Sequence, residues 1–173
     1  MIVINLFGGP GCGKSSIAGI LFGKMKFAGM NVELVTEYAK EPVWEGNHVQ
    51  LEDQLYITAS QNRRMWMVKD KVDFVITDSP LLLGIHYVSP QYFPDFYKDF
   101  VWDLWNYYDN YNIRLVRTKP YSKVGRYQSE GEAKEIDAKI LDMLNYQVKY
   151  YTDVDGDINA PDKIMERLEF KNM

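Results

Sequence analysis

Cysteine and histidine are nearly absent from this chain, which carries only Cys12, His48 and His86 among 173 residues. A lone cysteine closes no internal disulfide, and so few soft ligands leave no cluster with the spacing of a structural zinc site. The two histidines have no partner pattern that points to nucleophilic or metal chemistry, and both read as structural residues. No apolar run is long enough to cross a bilayer, and no basic segment precedes an apolar run with a cleavage site, so neither a membrane span nor a secretory leader is expected. Positive charge is also scarce: Lys and Arg number 20 against 24 Asp and Glu, a net charge of -4. That balance argues against a protein that coats nucleic acid non-specifically and suits a small anionic or neutral ligand. There are no internal repeats, low-complexity tracts or linkers. The expectation is a single cytoplasmic domain spanning 1–173, and its apolar content of 46%, with 14% aromatic residues, is enough for a real core.

What is present is a phosphate-binding signature. Gly8-Gly9-Pro10-Gly11-Cys12-Gly13-Lys14-Ser15 has the spacing of a glycine-rich loop whose amides cradle phosphate oxygens. Its flanks fit, since Ile2 to Phe7 reads as a buried strand and Ser16 to Lys26 as a helix. The expected nucleotide contacts are Gly9, Gly11, Cys12, Gly13, Lys14, Ser15 and Ser16, with the side chain of Cys12 acting only as filler. Lys14 would reach the β- and γ-phosphates and the Ser15 hydroxyl would ligate magnesium, so the implied cofactors are ATP and Mg2+.

The rest of the chain alternates strand-like and helix-like segments. Asn31 to Thr36, Asp73 to Asp78, Asn112 to Arg117 and Tyr151 to Val154 read as further strands. Helices are expected from Gln50 to Lys71, between Tyr92 and Asn110, from Ser129 to about Tyr150, and from Ala160 to Phe170. Ser129 with Glu132 forms a capping-box signature. The aromatic stripe from Phe93 to Tyr108 reads as core rather than as a base-stacking platform. Such alternation predicts an α/β fold with a parallel sheet and helices on both faces. The polar, basic stretch after the fourth strand predicts a lid around 118–135.

Several side chains are placed by this pattern where phosphoryl transfer needs them. Asp78 ends a buried strand beside the loop and is the expected second acid near magnesium. Glu37 lies just beyond the second strand, where it could accept the proton of a substrate hydroxyl, and Glu41 is the rival for that role. Arg126, near Lys119 and Lys123, would bring a guanidinium onto the migrating phosphoryl group. Gln54 and Gln61 could hydrogen-bond a nucleobase edge, and Arg63 and Arg64 on the same helix could instead pair with Glu37.

Over most of its length the chain resembles the P-loop kinases of nucleosides and nucleotides. That resemblance implies a three-layer P-loop NTPase sandwich with a five-stranded parallel sheet in the order 2-3-1-4-5 and a helical lid. Val35-Thr36-Glu37-Tyr38-Ala39-Lys40-Glu41 with Thr77-Asp78-Ser79-Pro80 is most similar to the NadR-like AAA ATPase family, which includes ribosylnicotinamide kinases and many phage proteins. For a phage-encoded member the compartment would be the host cytoplasm. Glu41-Pro42-Val43 with Trp44 and Gln54 resembles the deoxynucleoside kinases, in which the acid before proline is the base. The chain departs from those enzymes at Asp78-Ser79-Pro80, where they carry an acid followed by Arg, so the resemblance implies that Arg63, Arg64 or a lid residue supplies that substrate contact. The expected function is an ATP-dependent kinase acting on a nucleoside, nucleotide or related substrate, with a homodimer compatible with that reading. A kinase acting on a modified base or an end in DNA is the less favoured variant. The rival of another class is an ATPase switch that works through a protein partner.

Overall fold

A computed structural model describes residues 1–88, 96–118, 120–121 and 129–171, with side chains to residue 168. Its centre is a five-stranded parallel sheet in the order β2-β3-β1-β4-β5, as the resemblance implies. The strands are β1 (Ile2–Phe7), β2 (Val32–Val35), β3 (Phe74–Thr77), β4 (Asp109–Val116) and β5 (Thr152–Asp155). Central β1 pairs with β3 from Ile2 opposite Phe74 to Asn5 opposite Thr77, and with β4 from Ile2 opposite Asp109 to Phe7 opposite Arg114. Both faces of β1 are covered, which is why it reads as an unbroken apolar run rather than an alternating one.

Two apolar layers follow from the side-chain alternation of the strands. On one face Ile4, Leu6, Ile76, Ile113 and Val154 pack against α1 (Lys14–Phe27) and α7 (Ala160–Lys171). On the other, Val3, Phe7 and Val75 pack against α4 (Gln54–Val68), α5 (Phe96–Asn106) and α6 (Glu130–Met143). Tyr97, Val101, Trp105 and Tyr108 are buried there, so this side of the aromatic stripe is core, whereas Phe96 and Phe100 on the same helix stay exposed at 59% and 38%. Among the described residues no helix is long and apolar enough to cross a membrane.

The differences from the sequence expectation are local. The helix expected over Gln50 to Lys71 is two helices, α3 (His48–Glu52) and α4, broken at Asp53, whose carboxylate caps α4 by accepting the Tyr56 N–H at 3.0 Å. A short helix α2 (Lys40–Glu45) adds to the elements the sequence predicts; Pro42 is tolerated in its first turn, and Gly46 at φ 67° ends it. A 3-10 turn, Leu81–His86, follows Pro80. Strand β4 starts three residues earlier than Asn112, because Asn110 and Asn112 both accept from the buried Asn5 amide, at 2.8 and 3.1 Å. Helix α6 opens with the expected capping box but ends at Met143, continuing as a π-helical turn, Leu144–Val148.

Candidate active site

The phosphate loop is shaped by glycines at positive φ. Gly11 sits at 82° and Gly13, the residue capping α1, at 98°, a region that side chains disfavour. No side chain caps α1, so its first N–H groups and the positive end of its dipole face the loop. Gly9 is required for another reason: a Cβ there would lie 2.5 Å from Asp137 Oδ1 and 2.8 Å from the Ala133 carbonyl. Helix α6 thus rests directly on the loop. The Gly9 N–H donates to Asp137 Oδ1 at 2.6 Å, and Arg117 Nε donates to Asp137 Oδ2 at 2.8 Å while its Nη2 donates to the Pro10 carbonyl at 2.9 Å. Lys14 folds back over the loop, its Nζ donating to the Gly8 and Gly9 carbonyls at 2.6 and 3.1 Å. Cys12 is buried in the apolar layer and shows the loop only its backbone.

Beside the loop, the carboxyl ends of β2 and β3 bring two acids together. Asp78 is only 1% exposed; its Oδ1 accepts the Glu37 N–H at 2.9 Å. Its Oδ2 accepts from Lys40 Nζ at 3.2 Å, and the same ammonium donates to Ser15 Oγ at 2.7 Å. The hydroxyl and carboxylate expected near magnesium therefore converge on a single cation, and hard oxygen donors of this kind suit magnesium. Glu37 is half-buried with its carboxyl pushed above the usual glutamate range, mainly by burial, which Lys14 and Lys40 oppose and Asp78 reinforces.

Glu37 looks into a cavity of about 490 Å³ that runs from the loop to α4 and the 3-10 turn. Its walls beyond Glu37 and the phosphate loop are largely apolar, with Val43, Trp44, Leu51, Ile57, Leu81 and Leu83, and Gln54, Thr58 and Tyr87 supply polar groups. Burial and the nearby Glu37 push the Tyr87 phenol far up, so it remains a proton donor. Tyr97 from α5 anchors the floor, its hydroxyl 2.8 Å from Thr58 Oγ1 and donating to the Gln54 carbonyl at 3.3 Å. Gly84 leaves room for that pair, since a Cβ there would meet the Tyr97 hydroxyl at 2.9 Å.

The expected substrate residues divide. Gln54 is buried in the wall, and because its amide nitrogen donates to the Leu51 carbonyl at 2.7 Å its oxygen is left for a ligand. Gln61 lines the cavity but is engaged at both ends, accepting the Tyr38 N–H at 2.8 Å and donating to Thr77 Oγ1 at 3.4 Å. Its amide ties the β2 exit to β3 and is not free to read a base. Arg63 is exposed on α4 and does not line the cavity. Arg64 stands over the Tyr38 ring and pairs with Glu41, which is itself exposed. Neither member of that pair lines the cavity, so of the two rival acids Glu37 is the one at the loop. Arg126, Lys119 and Lys123 lie outside the described residues. Lys40, Arg117 and Asp137 were missed; they belong to no recognisable spacing and gain their places only from the meeting of distant segments.

Comparison with known proteins agrees with this architecture. An AAA domain family model matches residues 3–160. No curated protein matches the sequence. The deoxyadenosine kinase from M. mycoides, solved with bound dATP, superposes with a TM-score of 0.60 at 17% identity, covering 96% of this chain and 99% of that one. The same enzyme with products dCMP and a flexible dCDP bound gives 0.59 at 18% identity, over 96% and 98% of the two chains. Shikimate kinase from Aquifex aeolicus gives 0.55 at 13% identity, over 99% and 98%. At such identities the likeness is one of fold.

Proposed function

Because this chain belongs to the AAA domain family, we propose that it is a phosphotransferase that moves the γ-phosphoryl group of ATP to a hydroxyl of an uncharged, nucleoside-like acceptor. The observation that carries this reading is the placement of Glu37, with a raised carboxyl pKa, in the wall of a cavity that continues past the phosphate loop to α4, and such a compartment suits an acceptor. A switch that hydrolyses nucleotide needs no such compartment.

In this reading the loop amides and Lys14 hold the triphosphate, and Lys14 exchanges its two carbonyl partners for phosphate oxygens. Ser15 and Asp78 would hold magnesium, which when bound neutralises phosphate charge. Glu37 accepts the proton of the acceptor hydroxyl as that oxygen bonds to the γ-phosphorus and the bond to the β-phosphate oxygen breaks. Trp44, Leu51 and Ile57 suit one face of a flat ring, and Gln54 supplies an amide oxygen for a ring N–H. Among the described residues the cations lining the cavity are Lys14 and Lys40, both at the phosphate end. The far end therefore favours an acceptor without a phosphate of its own, and nicotinamide riboside and the deoxynucleosides are the first to try. Arg126 is proposed to meet the migrating charge.

The test is transfer of labelled γ-phosphate from ATP with Mg2+ to nucleosides, nucleoside monophosphates, nicotinamide riboside and plain or hydroxymethylated DNA, with release to water counted alongside. Labelling of a nucleoside that disappears in Glu37→Gln supports the reading. Labelling of monophosphates or DNA alone would overturn the acceptor class, and hydrolysis indifferent to every acceptor would overturn transfer itself.

A further inference from the structure

Among the described residues, Lys40 is a charged group at the phosphate site that the proposed reaction does not use. Its ammonium bridges Ser15 Oγ at 2.7 Å and Asp78 Oδ2 at 3.2 Å, the two oxygens the proposed reading gives to a divalent cation. We propose that Lys40 is the resident counter-cation of that site and competes with the divalent metal for both oxygens. The inference rests on the metal reading above and adds a residue that sets how tightly the metal binds.

Three features support competition rather than permanent bridging. Asp78 is almost fully buried, and a buried carboxylate needs compensation on both oxygens; the Glu37 N–H serves Oδ1 and Lys40 serves Oδ2. A divalent cation on Oδ2 and Ser15 Oγ would stand within a few ångströms of the ammonium, so like-charge repulsion drives one of them out. Lys40 can leave, because its side chain is 43% exposed and it begins the short helix α2, so a rotation about its flexible stem suffices without unfolding. Lys14 does not fill this role, since its Nζ meets the Gly8 and Gly9 carbonyls here and is given to the phosphate oxygens in the proposed reading.

The experiment titrates Mn2+ into the full chain with a non-hydrolysable ATP analogue and follows free Mn2+ by electron paramagnetic resonance. Lys40→Gln, which keeps a polar end but not the charge, should bind Mn2+ about tenfold more tightly than the wild type, the scale of one lost charged competitor. Equal or weaker Mn2+ binding by a folded Lys40→Gln overturns the proposal. Asp78→Asn tests the underlying reading: if it leaves Mn2+ affinity unchanged while Lys40→Gln also has no effect, the metal assignment itself has failed. If Asp78→Asn weakens Mn2+ and Lys40→Gln does not tighten it, only the competition has failed. A wild-type measurement avoids dependence on variant folding. Acylation of Lys40, followed by mass spectrometry, should rise several-fold when Mn2+ joins the nucleotide analogue. Unchanged or slower acylation would overturn displacement.

Discussion

Glu37 carries its carboxyl into a half-buried position beside the phosphate loop. Burial raises its carboxyl pKa, so the folded chain holds this proton more tightly than the unfolded chain does. By linkage, its contribution to stability declines as pH rises from the ordinary glutamate range through the raised value. Glu37→Gln removes that penalty: thermal melting at neutral pH should show a variant more stable than the wild type, with the difference vanishing in acid. The same variant should lose about 10²- to 10⁴-fold in kcat, the usual range for a general base, while nucleotide affinity measured by calorimetry stays nearly constant. Wild-type kcat/KM, which reports the free enzyme, should rise with pH along a limb shifted above the usual carboxylate range, and that limb should be missing in the variant. Lys14→Ala differs in kind, because Lys14 contacts phosphate in both ground and transition states; nucleotide affinity and transfer should fall together, each by about tenfold or more.

At the scale of elements, the phosphate loop is held from outside as well as by its own glycines. Arg117 at the exit of β4 and Asp137 on α6 form a partly buried pair, with side chains 14% and 28% exposed, that grips the Gly9 N–H and the Pro10 carbonyl. Gly156 closes the other side, since a Cβ there would lie 2.6 Å from the Cys12 carbonyl, and its N–H donates to the Val116 carbonyl at 2.8 Å. Asp137→Asn keeps the shape but removes the charge facing Arg117. It should cost about 2 kcal/mol in urea unfolding, the scale of a charge-assisted hydrogen bond, and weaken nucleotide binding because the loop loses a fixed amide. Unchanged nucleotide affinity with lowered stability would show that the contact serves the fold alone. Helix α6 is well placed to brace the loop, because its capping box fixes its start, with the Ser129 N–H donating to Glu132 Oε2 at 2.6 Å, and Ala133 beneath it is fully buried.

For the whole molecule, nucleotide binding should act as a clamp on the sheet, because the loop, β3, β4 and α6 all meet at one edge. A ligand at 100 times its Kd adds about 2.7 kcal/mol to stability. For a chain of this size that corresponds to a rise in Tm of roughly 5–10 °C. Differential scanning fluorimetry with ATP and Mg2+ should show that rise, and Lys14→Ala should abolish most of it. No rise at saturating nucleotide would count against the phosphate site as a whole.

The strand-helix alternation, the phosphate loop with Lys14 and Ser15, the capping box at Ser129, and the acids Glu37 and Asp78 near strand ends are all legible in the amino-acid order. Those features depend on periodicity and local backbone chemistry, which are written over a few consecutive residues. Sequence could not choose between Glu37 and Glu41, four residues apart. Only the tertiary structure separated them, by turning Glu37 toward the loop and giving Glu41 to Arg64 outside the cavity. It likewise used up Gln61, left Gln54 an open amide oxygen, and brought Lys40, Arg117 and Asp137 to the phosphate loop across gaps of 25 to 128 residues. The physical reason is that a side chain's role depends on which partners satisfy its polar atoms, and those partners are assembled only when the sheet and its helices close.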